Sequence, residues 1–382
     1  MQFGLTEEQQ AIQAAARRIA QEKFAPRAAE IDATGEFPWD NVRVLREAGF
    51  LGMAFPEEYG GGGADHVAHV AVKEEIARAC LSTCTIMAAQ YLGSLPLMLA
   101  GAPEQKEKYL PRLASGEILA AFGLTEAGAG SDAGSIRTTA RRDGDEYILN
   151  GVKCFVTNGG VADFYTVFAK TDPQAGARGI SAFIVEKGAP GFSFGKSENK
   201  MGIRGSATRE LIFEDCRIPC ENRVGEEGMG YKLALRTLDY TRPGVGAEAV
   251  GVAQAALDAS LKYARERVVF GSPLSDKQAI AFMLADMATE IEAARLLVYR
   301  VAAMMEAGER NFTVAASQAK LYASEMAHRV VHKALQIHGG YGYMKDFPLE
   351  RYYRDQRITE IYEGTSEIQR LVIAGNLLRA QA

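Results

Sequence analysis

Cysteine is scarce and tryptophan nearly missing: five and one among 382 residues. The cysteines (Cys80, Cys84, Cys154, Cys216 and Cys220) are odd in number and show no C-x-x-C spacing. That pattern argues against a disulfide framework and a zinc ribbon, and predicts free thiols in a reducing compartment. Neither sign of charge dominates, since 43 Lys and Arg face 48 Asp and Glu for a net −5. Without a basic stripe, nucleic acid is not an expected partner. Of five histidines only His328 and His332 have helical i,i+4 spacing, and the intervening Arg-Val-Val lacks the glutamate of a zinc-protease pattern. No metal site is expected.

A long, purely apolar run is missing as well. The uncharged stretch from Ala79 to Pro103 is interrupted by Ser, Thr, Gln, Gly and Pro96. A bilayer span wants about 20 predominantly apolar residues, so the stretch reads as a helix buried inside the protein against a ligand or neighbouring elements, and no membrane insertion is expected. MQFGLTEEQQ passes directly into polar helical sequence without a signal-peptide pattern. The expected setting is cytoplasmic and bacterial-type, with a mature mitochondrial matrix form left open. What is present is ordinary for a globular chain, 47% apolar and 24% charged, and the length predicts two or three domains.

The hydrophobic period changes twice. Residues 1–118 read as helical. Thr6 with Gln9 forms a capping box, AIQAAARRIAQEKF continues at helical spacing to a stop at Pro26, a second helix follows Pro38-Trp39-Asp40 and ends at Gly49, glycines 60–63 make a loop, and Pro103 opens another helix. Residues 119–230 read as short strands, with Asn150-Gly151 predicting a hairpin between EYIL and VKCFVTN. No 10–15-residue helical pattern intervenes, so an antiparallel β-sandwich or barrel is expected. Residues 231–382 return to long helices, with Ser275 and Gln278 as a further capping box and Gly308 and Gly339 as stops. These helices predict a four-helix bundle, filled in part by Met283, Met287, Met304 and Met305. The fold class is thus α+β multidomain in the order helical, β, helical.

Three stretches carry candidate chemistry. LTEAGAGSDAGS (124–135) has glycines and the Ser131 hydroxyl suited to an anion-binding nest, but lacks the Gly-Lys-Ser/Thr ending of a P-loop; an ordinary flexible turn reads equally well. QIHGGYGY (336–343) alone is a helix ending in a turn. In IYEGTSEIQR (361–370), Glu363 precedes Gly364, the residue that permits close approach of backbone and ligand. It reads either as part of a helix start capped by Thr365 or as a general base.

Taken together, the chain resembles the acyl-CoA dehydrogenase family. GLTEAGAGSDAGS (123–135) matches that family's first signature, and QIHGGYGYMKDFPLERYYRD (336–355) its second, with Asp346, Arg351 and Asp355 at the polar positions. IYEGTSEIQRLVIAGNLLR, GIRGSATRELIFEDCRIP and LNGVKCFVTN are most similar to short-chain, butyryl-CoA-type members. The resemblance covers nearly the whole chain. It implies an FAD enzyme that removes hydrogens from the α and β carbons of an acyl-CoA thioester, assembles as a homotetramer and passes electrons to electron-transfer flavoprotein.

The resemblance also assigns residues. Glu363 falls where most members carry the base. Its N–H and a flavin ribityl hydroxyl would polarise the thioester oxygen, and Tyr362 and Gly364 flank the substrate. Members that place the base on an earlier helix have it at the position of Thr241, which does not ionise usefully. Asp239, Tyr240, Thr241 and Arg242 match the substrate side of the cleft. Phe122, Leu124, Thr125, Phe155 and Thr157 match flavin-ring contacts, Phe155 standing where many relatives have Trp. Ser131 matches a contact to pyrophosphate and substrate. Arg267, Phe270, Gln278, Gln336, Gly339 and Gly340 match positions embracing a neighbouring subunit's FAD, and Thr365 and Glu367 match further FAD contacts. Helix 85–100 would floor the acyl pocket, with Gln90 and Tyr91 limiting its depth. No basic residue lies between Arg78 and Lys106, which argues against a glutaryl-type substrate. A butyryl-like chain is expected, then a branched, alicyclic or aromatic acyl group. An enoyl-CoA reductase or acyl-CoA oxidase would share the same residues.

Overall fold

In the computed structural model, which describes residues 4–379, six helices come first: α1 (Glu7–Ile19), α2 (Ala28–Thr34), α3 (Trp39–Glu47), α4 (His66–Ala79), α5 (Leu81–Ala100) and α6 (Pro103–Ala114). The Thr6–Gln9 capping box forms in both directions. Pro26 does not break the chain away as expected. After α1 the backbone widens over Ala20–Phe24 and tightens over Ala25–Arg27, where Pro26 sits near a helical start that needs no N–H from it, and α2 continues to Gly35. The uncharged stretch is α5; it has the length and apolarity of a span, but 78% of its apolar window is buried in protein.

Helix α4 is tied by charge to α1 and to two later helices. Lys73, Glu74 and Glu75 are consecutive and all buried. At 100° per residue they point to three neighbours. Lys73 reaches Glu248 at 3.6 Å, Glu74 reaches Arg295 at 2.9 Å, and Glu75 reaches Arg17 at 2.6 Å. Each carboxylate or ammonium is thereby paired, the condition for burying it at all.

The middle section has eight strands: β1 (Ala120–Gly123), β2 (Thr139–Asp143), β3 (Glu146–Thr157), β4 (Phe164–Lys170), β5 (Ile180–Glu186), β6 (Phe192–Ser197), β7 (Thr208–Pro219) and β8 (Arg223–Val224). Their order is β6-β7-β3-β2-β4-β5-β8, with β1 beside β4. Rings from opposite halves meet edge to face, Tyr165 with Phe192 at 5.1 Å and Tyr147 with Phe183 at 4.9 Å, so the strands enclose a sandwich-like core. The sheet is mixed rather than purely antiparallel, since β1 and β2 both run parallel to β4.

The predicted hairpin at Asn150-Gly151 is absent, and β3 runs straight through it. The turn lies instead at Gly144, with φ 63°, where Asp143 pairs with Glu146. Asn150 bonds Asp215 across to β7 (Asn150 Nδ2 to Asp215 Oδ1, 3.0 Å; Asp215 N to Asn150 Oδ1, 2.9 Å), and a register shift follows between Leu149 and Gly151. Gly151 is required because a Cβ there would meet Thr138 Oγ1 at 2.5 Å.

Helices α7 (Gly230–Glu266), α8 (Gln278–Glu306), α9 (Thr313–His338) and α12 (Ser366–Arg379) form the C-terminal bundle, with short α10 (Gly340–Tyr343) and α11 (Leu349–Gln356) before α12. Gly308 and Gly339 end α8 and α9 at positive φ. The Ser275–Gln278 capping box does not form. Ser275 lies in a tight turn, Lys277 is the cap residue, and no side chain caps the start of α8. Met287 is fully buried and Met283, Met304 and Met305 pack on the same core.

Candidate active site

A cavity of about 470 Å³ opens where α5, the loop after β1, β3, α7 and the start of α12 converge. Helix α5 presents Thr85, Ala88, Ala89 and Leu92, an i, i+3, i+4, i+7 stripe. From α7 come Tyr231, Leu235, Leu238 and Arg242 at the same periodicity, with Glu248 further along. The cavity size lies within the range usual for ligand sites.

The middle section supplies Phe122, Leu124, Thr125, Ser131, Phe155 and Thr157 to the wall. Loop 124–135 is held from beneath by a buried pair. Lys153 Nζ donates to Glu126 Oε1 at 2.6 Å and to the Leu124 carbonyl at 3.2 Å. Glu126 also accepts from the Thr138 hydroxyl and from the N–H groups of Arg137 and Thr138. Burial pushes the Lys153 ammonium down to about 8 against the pull of Glu126. Burial likewise works against Glu126, but Lys153 and its other donors hold its carboxyl below the usual range. A bulge between Lys153 and Val156 then turns the next side chain outward: Phe155 has φ 57° and is 68% exposed. A non-glycine residue in that conformation stores strain, here spent on aiming an aromatic ring into the cavity mouth.

The opposite wall carries Glu363. Its φ is 52° and that of Gly364 is 95°, a turn held by donors from three directions. Arg242 Nε reaches the Glu363 carbonyl at 3.5 Å, Lys320 Nζ reaches the Gly364 carbonyl at 2.7 Å, and Gln369 Nε2 reaches both at 3.3 and 2.9 Å. A Cβ at position 364 would meet Gln369 Nε2 at 2.6 Å, so glycine follows the carboxylate because the clamp is that close. The Thr241 hydroxyl donates to Glu363 Oε2. Burial pushes the Glu363 carboxyl up; Thr241, Lys73 and Lys320 pull down and Glu248 adds to the rise, for a net upward shift. Thr365 caps α12, accepting from Ile368 N at 3.3 Å, so the helix-start reading and a cavity-facing carboxylate hold together.

Not every expected residue lines this cavity. Gln90 is fully buried with its amide turned away, donating to the Leu113 and Ile118 carbonyls and accepting from Ala120 N at 2.7 Å. Tyr91 packs on His69, ring centroids 4.9 Å apart. Both lie off the 85–88–89–92 stripe, so neither limits the depth of this cavity. Gln90→Leu is expected to lower the unfolding free energy by about 2–3 kcal/mol, because the Ile118 carbonyl and the Ala120 N–H lose the amide and the Leu113 carbonyl is left with Gly116 N, with acyl preference unchanged. Urea unfolding and a chain-length profile check it. Tyr240 packs edge-on to Phe312 at 5.0 Å, away from the cavity, and Asp239 holds Arg242 (2.5 Å) and Thr313 (2.7 Å) instead of facing it.

Arg267, Phe270, Gln278, Gln336, Gly339 and Gly340 also lie outside, on the surface. Phe270 is 98% exposed, and the Arg267 guanidinium sits 5.9 Å over the Tyr341 ring. Glu367 is exposed at the start of α12. Residues not anticipated include Glu126, Lys153, Glu248, Lys320 and Gln369. Lys320 and Glu248 had a signal, as lone charges on alanine-rich helix faces (TVAASQAKLYAS and GVGAEAVGVA). Among the described residues no cluster suits a metal.

Glu363, with its proton affinity raised by burial, therefore lies on the wall of a cavity that Phe122, Phe155, Tyr231 and Tyr362 also line. Comparison with known proteins gives the family. Models of the acyl-CoA dehydrogenase N-terminal, middle and C-terminal domains match residues 6–117, 121–216 and 228–378. The short-chain specific acyl-CoA dehydrogenase of Clostridium acetobutylicum is 48% identical over 99% of this chain and 100% of its own length. The acryloyl-CoA reductase (NADH) of Anaerotignum propionicum is 49% identical over 99% and 96%. The solved butyryl-CoA dehydrogenase of Megasphaera elsdenii superposes with a TM-score of 0.97 at 46% identity, covering 99% of this chain and 100% of that one. The chain belongs to the acyl-CoA dehydrogenase family and is an oxidoreductase of the acyl-CoA dehydrogenase type.

Proposed function

We propose that the protein is an FAD-dependent dehydrogenase of short-chain acyl-CoA thioesters in which Glu363 abstracts the α-proton. The observation that carries this is the placement of Glu363: a carboxylate with raised proton affinity, clamped by its backbone, on the same cavity as the outward-turned Phe155. The residues present fit a flavin, with Phe122, Leu124 and Phe155 offering apolar faces to a ring and Thr125, Ser131 and Thr157 hydroxyls to its polar edge and phosphates. When bound, FAD supplies the two-electron acceptor for the β-hydride.

The chain's own residues do the rest. Glu363 receives the α-proton, and its raised proton affinity brings it nearer to that weak acid. Its N–H donates to the thioester oxygen, where negative charge grows as the proton leaves. Thr241 orients the carboxylate, and the carbonyl clamp from Arg242, Lys320 and Gln369 keeps that geometry from relaxing. The apolar α5 stripe excludes water.

A short acyl group is supported by the butyryl-CoA and short-chain relatives, no longer by Gln90 or Tyr91. Packing does bring Lys73 and Lys320 close to Glu363, but Glu248 pairs with Lys73 and the Gly364 carbonyl holds Lys320, so neither is turned to a second substrate carboxylate. Exposed Phe270, Tyr343, Leu371 and Leu378 are apolar surface of the kind assembly covers, which supports a homotetramer with Arg267, Gln278, Gln336, Gly339 and Gly340 turned to a neighbour's cofactor. The family resemblance supports electron-transfer flavoprotein as acceptor, and the five free thiols support a reducing compartment, the bacterial-type cytoplasm or a mitochondrial matrix. The acryloyl-CoA reductase relative favours a second reading, the same chemistry run toward saturation.

Anaerobic titration of the purified protein with butyryl-, isobutyryl-, octanoyl-, glutaryl- and cyclohexanecarboxyl-CoA is expected to bleach the oxidised flavin fastest with butyryl-CoA. A flavoprotein bleached by none of them, yet reoxidised by acryloyl- or crotonyl-CoA after chemical reduction, selects the reductive reading. A colourless protein overturns the cofactor.

A further inference from the structure

Glu248 is a second carboxylate on the wall that carries Glu363, and the chemistry above does not use it. It is 1% exposed. It accepts a hydrogen bond from the Tyr362 hydroxyl, from the residue directly before the base. Its other oxygen lies 3.6 Å from Lys73 Nζ, both side chains being almost wholly buried. Cys84 Sγ lies 3.4 Å from the Lys73 carbonyl and 4.0 Å from Glu248 Oε1. Gly244 leaves room for the Lys73 ammonium, because a Cβ there would meet its Nζ at 2.4 Å, and Gly251 lets α7 approach the α4 backbone, where a Cβ would meet the Glu74 carbonyl at 2.3 Å. This is costly architecture: an ion pair sunk between two helices is generally no more stable than an apolar pair of equal volume. Its position explains its presence better than stability does.

We propose that the Lys73–Glu248 pair, tied to the base-bearing turn through Tyr362, is a positioning element that sets the electrostatic environment of Glu363. The proposal rests on the reading of Glu363 as the base. The groups facing Glu363 are Thr241, Arg242 and Glu248 from α7, Lys73 from α4, Lys320 from α9 and Tyr362 beside it; His69 and Cys84 face the pair itself. Lys73 favours the ionised carboxylate and Glu248 the protonated one. As a pair they oppose each other, with Lys73 the stronger of the two. Split, they push in opposite directions, and Tyr362 transmits any movement of Glu248 to the neighbouring backbone.

The test is the protonated-carboxyl stretch of Glu363 in infrared difference spectra across a pH titration of the purified protein, the band being assigned by its loss in Glu363→Gln. Lys73→Met is expected to raise the midpoint by about one pH unit and Glu248→Gln to lower it by about as much. The double variant, which leaves no unpaired charge, returns near the wild-type value. The acid limb of kcat/KM moves with the band. Midpoints that stay put, or move the same way in both single variants, overturn the proposal and leave the assignment of the base intact. Turnover surviving in Glu363→Gln would instead defeat the assignment itself. Where a single variant does not fold, Tyr362→Phe replaces it: without the phenol Glu248 is less neutralised, the midpoint rises, and an unmoved midpoint overturns the proposal.

Discussion

Glu363→Gln is expected to keep the fold and the flavin and to lose turnover by about 10²–10⁴-fold, the usual contribution of a positioned general base. The amide is nearly isosteric, and its oxygen still accepts the Thr241 hydroxyl. The clamp survives too, because Arg242, Lys320 and Gln369 hold backbone carbonyls and not the carboxylate. What disappears is the capacity to take a proton. Stopped-flow reduction with butyryl-CoA measures the loss, and gel filtration with the flavin spectrum checks integrity. Glu363→Asp separates basicity from reach: it keeps the charge and shortens the arm, so a partial loss is expected. A well-folded yellow Glu363→Gln protein with near-normal reduction would show that another group is the base. Thr241, the residue at the other position used in the family, does not ionise usefully, and Glu248 is already engaged by Lys73 and Tyr362.

The division into helical, β and helical parts was legible because hydrophobic period is a local property, and so were the Thr6–Gln9 cap and the glycine stops at Gly308 and Gly339. The errors share a different cause. Asn150-Gly151 is a strong local turn signal, yet the Asn150 side chain spans to Asp215 on β7, 65 residues away, and the glycine makes room for Thr138; tertiary partners override the dipeptide. Gln90 stood in the right helix, but its facing depends on where β1 lies, which sequence does not state. Glu363 was legible through its neighbours in sequence and through the resemblance. The clamp around it was not, because Lys320, Arg242 and Gln369 come from three helices and act on carbonyls, which have no letter in the sequence.

Lys153→Met should be among the most destabilising single changes in the middle section, lowering stability by about 3–5 kcal/mol, the range for breaking one side of a buried pair. Lys153 is fully enclosed and Glu126 nearly so. Glu126 would keep three donors from Arg137 and Thr138, but its charge would lose the cation that offsets its burial. The Leu124 carbonyl would also lose its ammonium contact, and this carbonyl lies in the loop proposed to hold the flavin edge. Two readouts therefore move together: the thermal midpoint falls and flavin content after gel filtration drops. Adding Glu126→Gln to Lys153→Met removes the stranded charge and should recover most of the midpoint, but less of the flavin, since the tie to Leu124 stays broken. Arg217→Ala is the control. Its contacts to Asp143 and Glu146 lie on the exposed side of the sheet, where solvent screening leaves an ion pair little to contribute, so it should change neither readout. A Lys153→Met protein as stable as the control would mean that Glu126 takes up a proton and stays buried at little cost, and that the loop is held by its backbone bonds alone, chiefly Cys154 N to the Thr125 carbonyl at 2.8 Å.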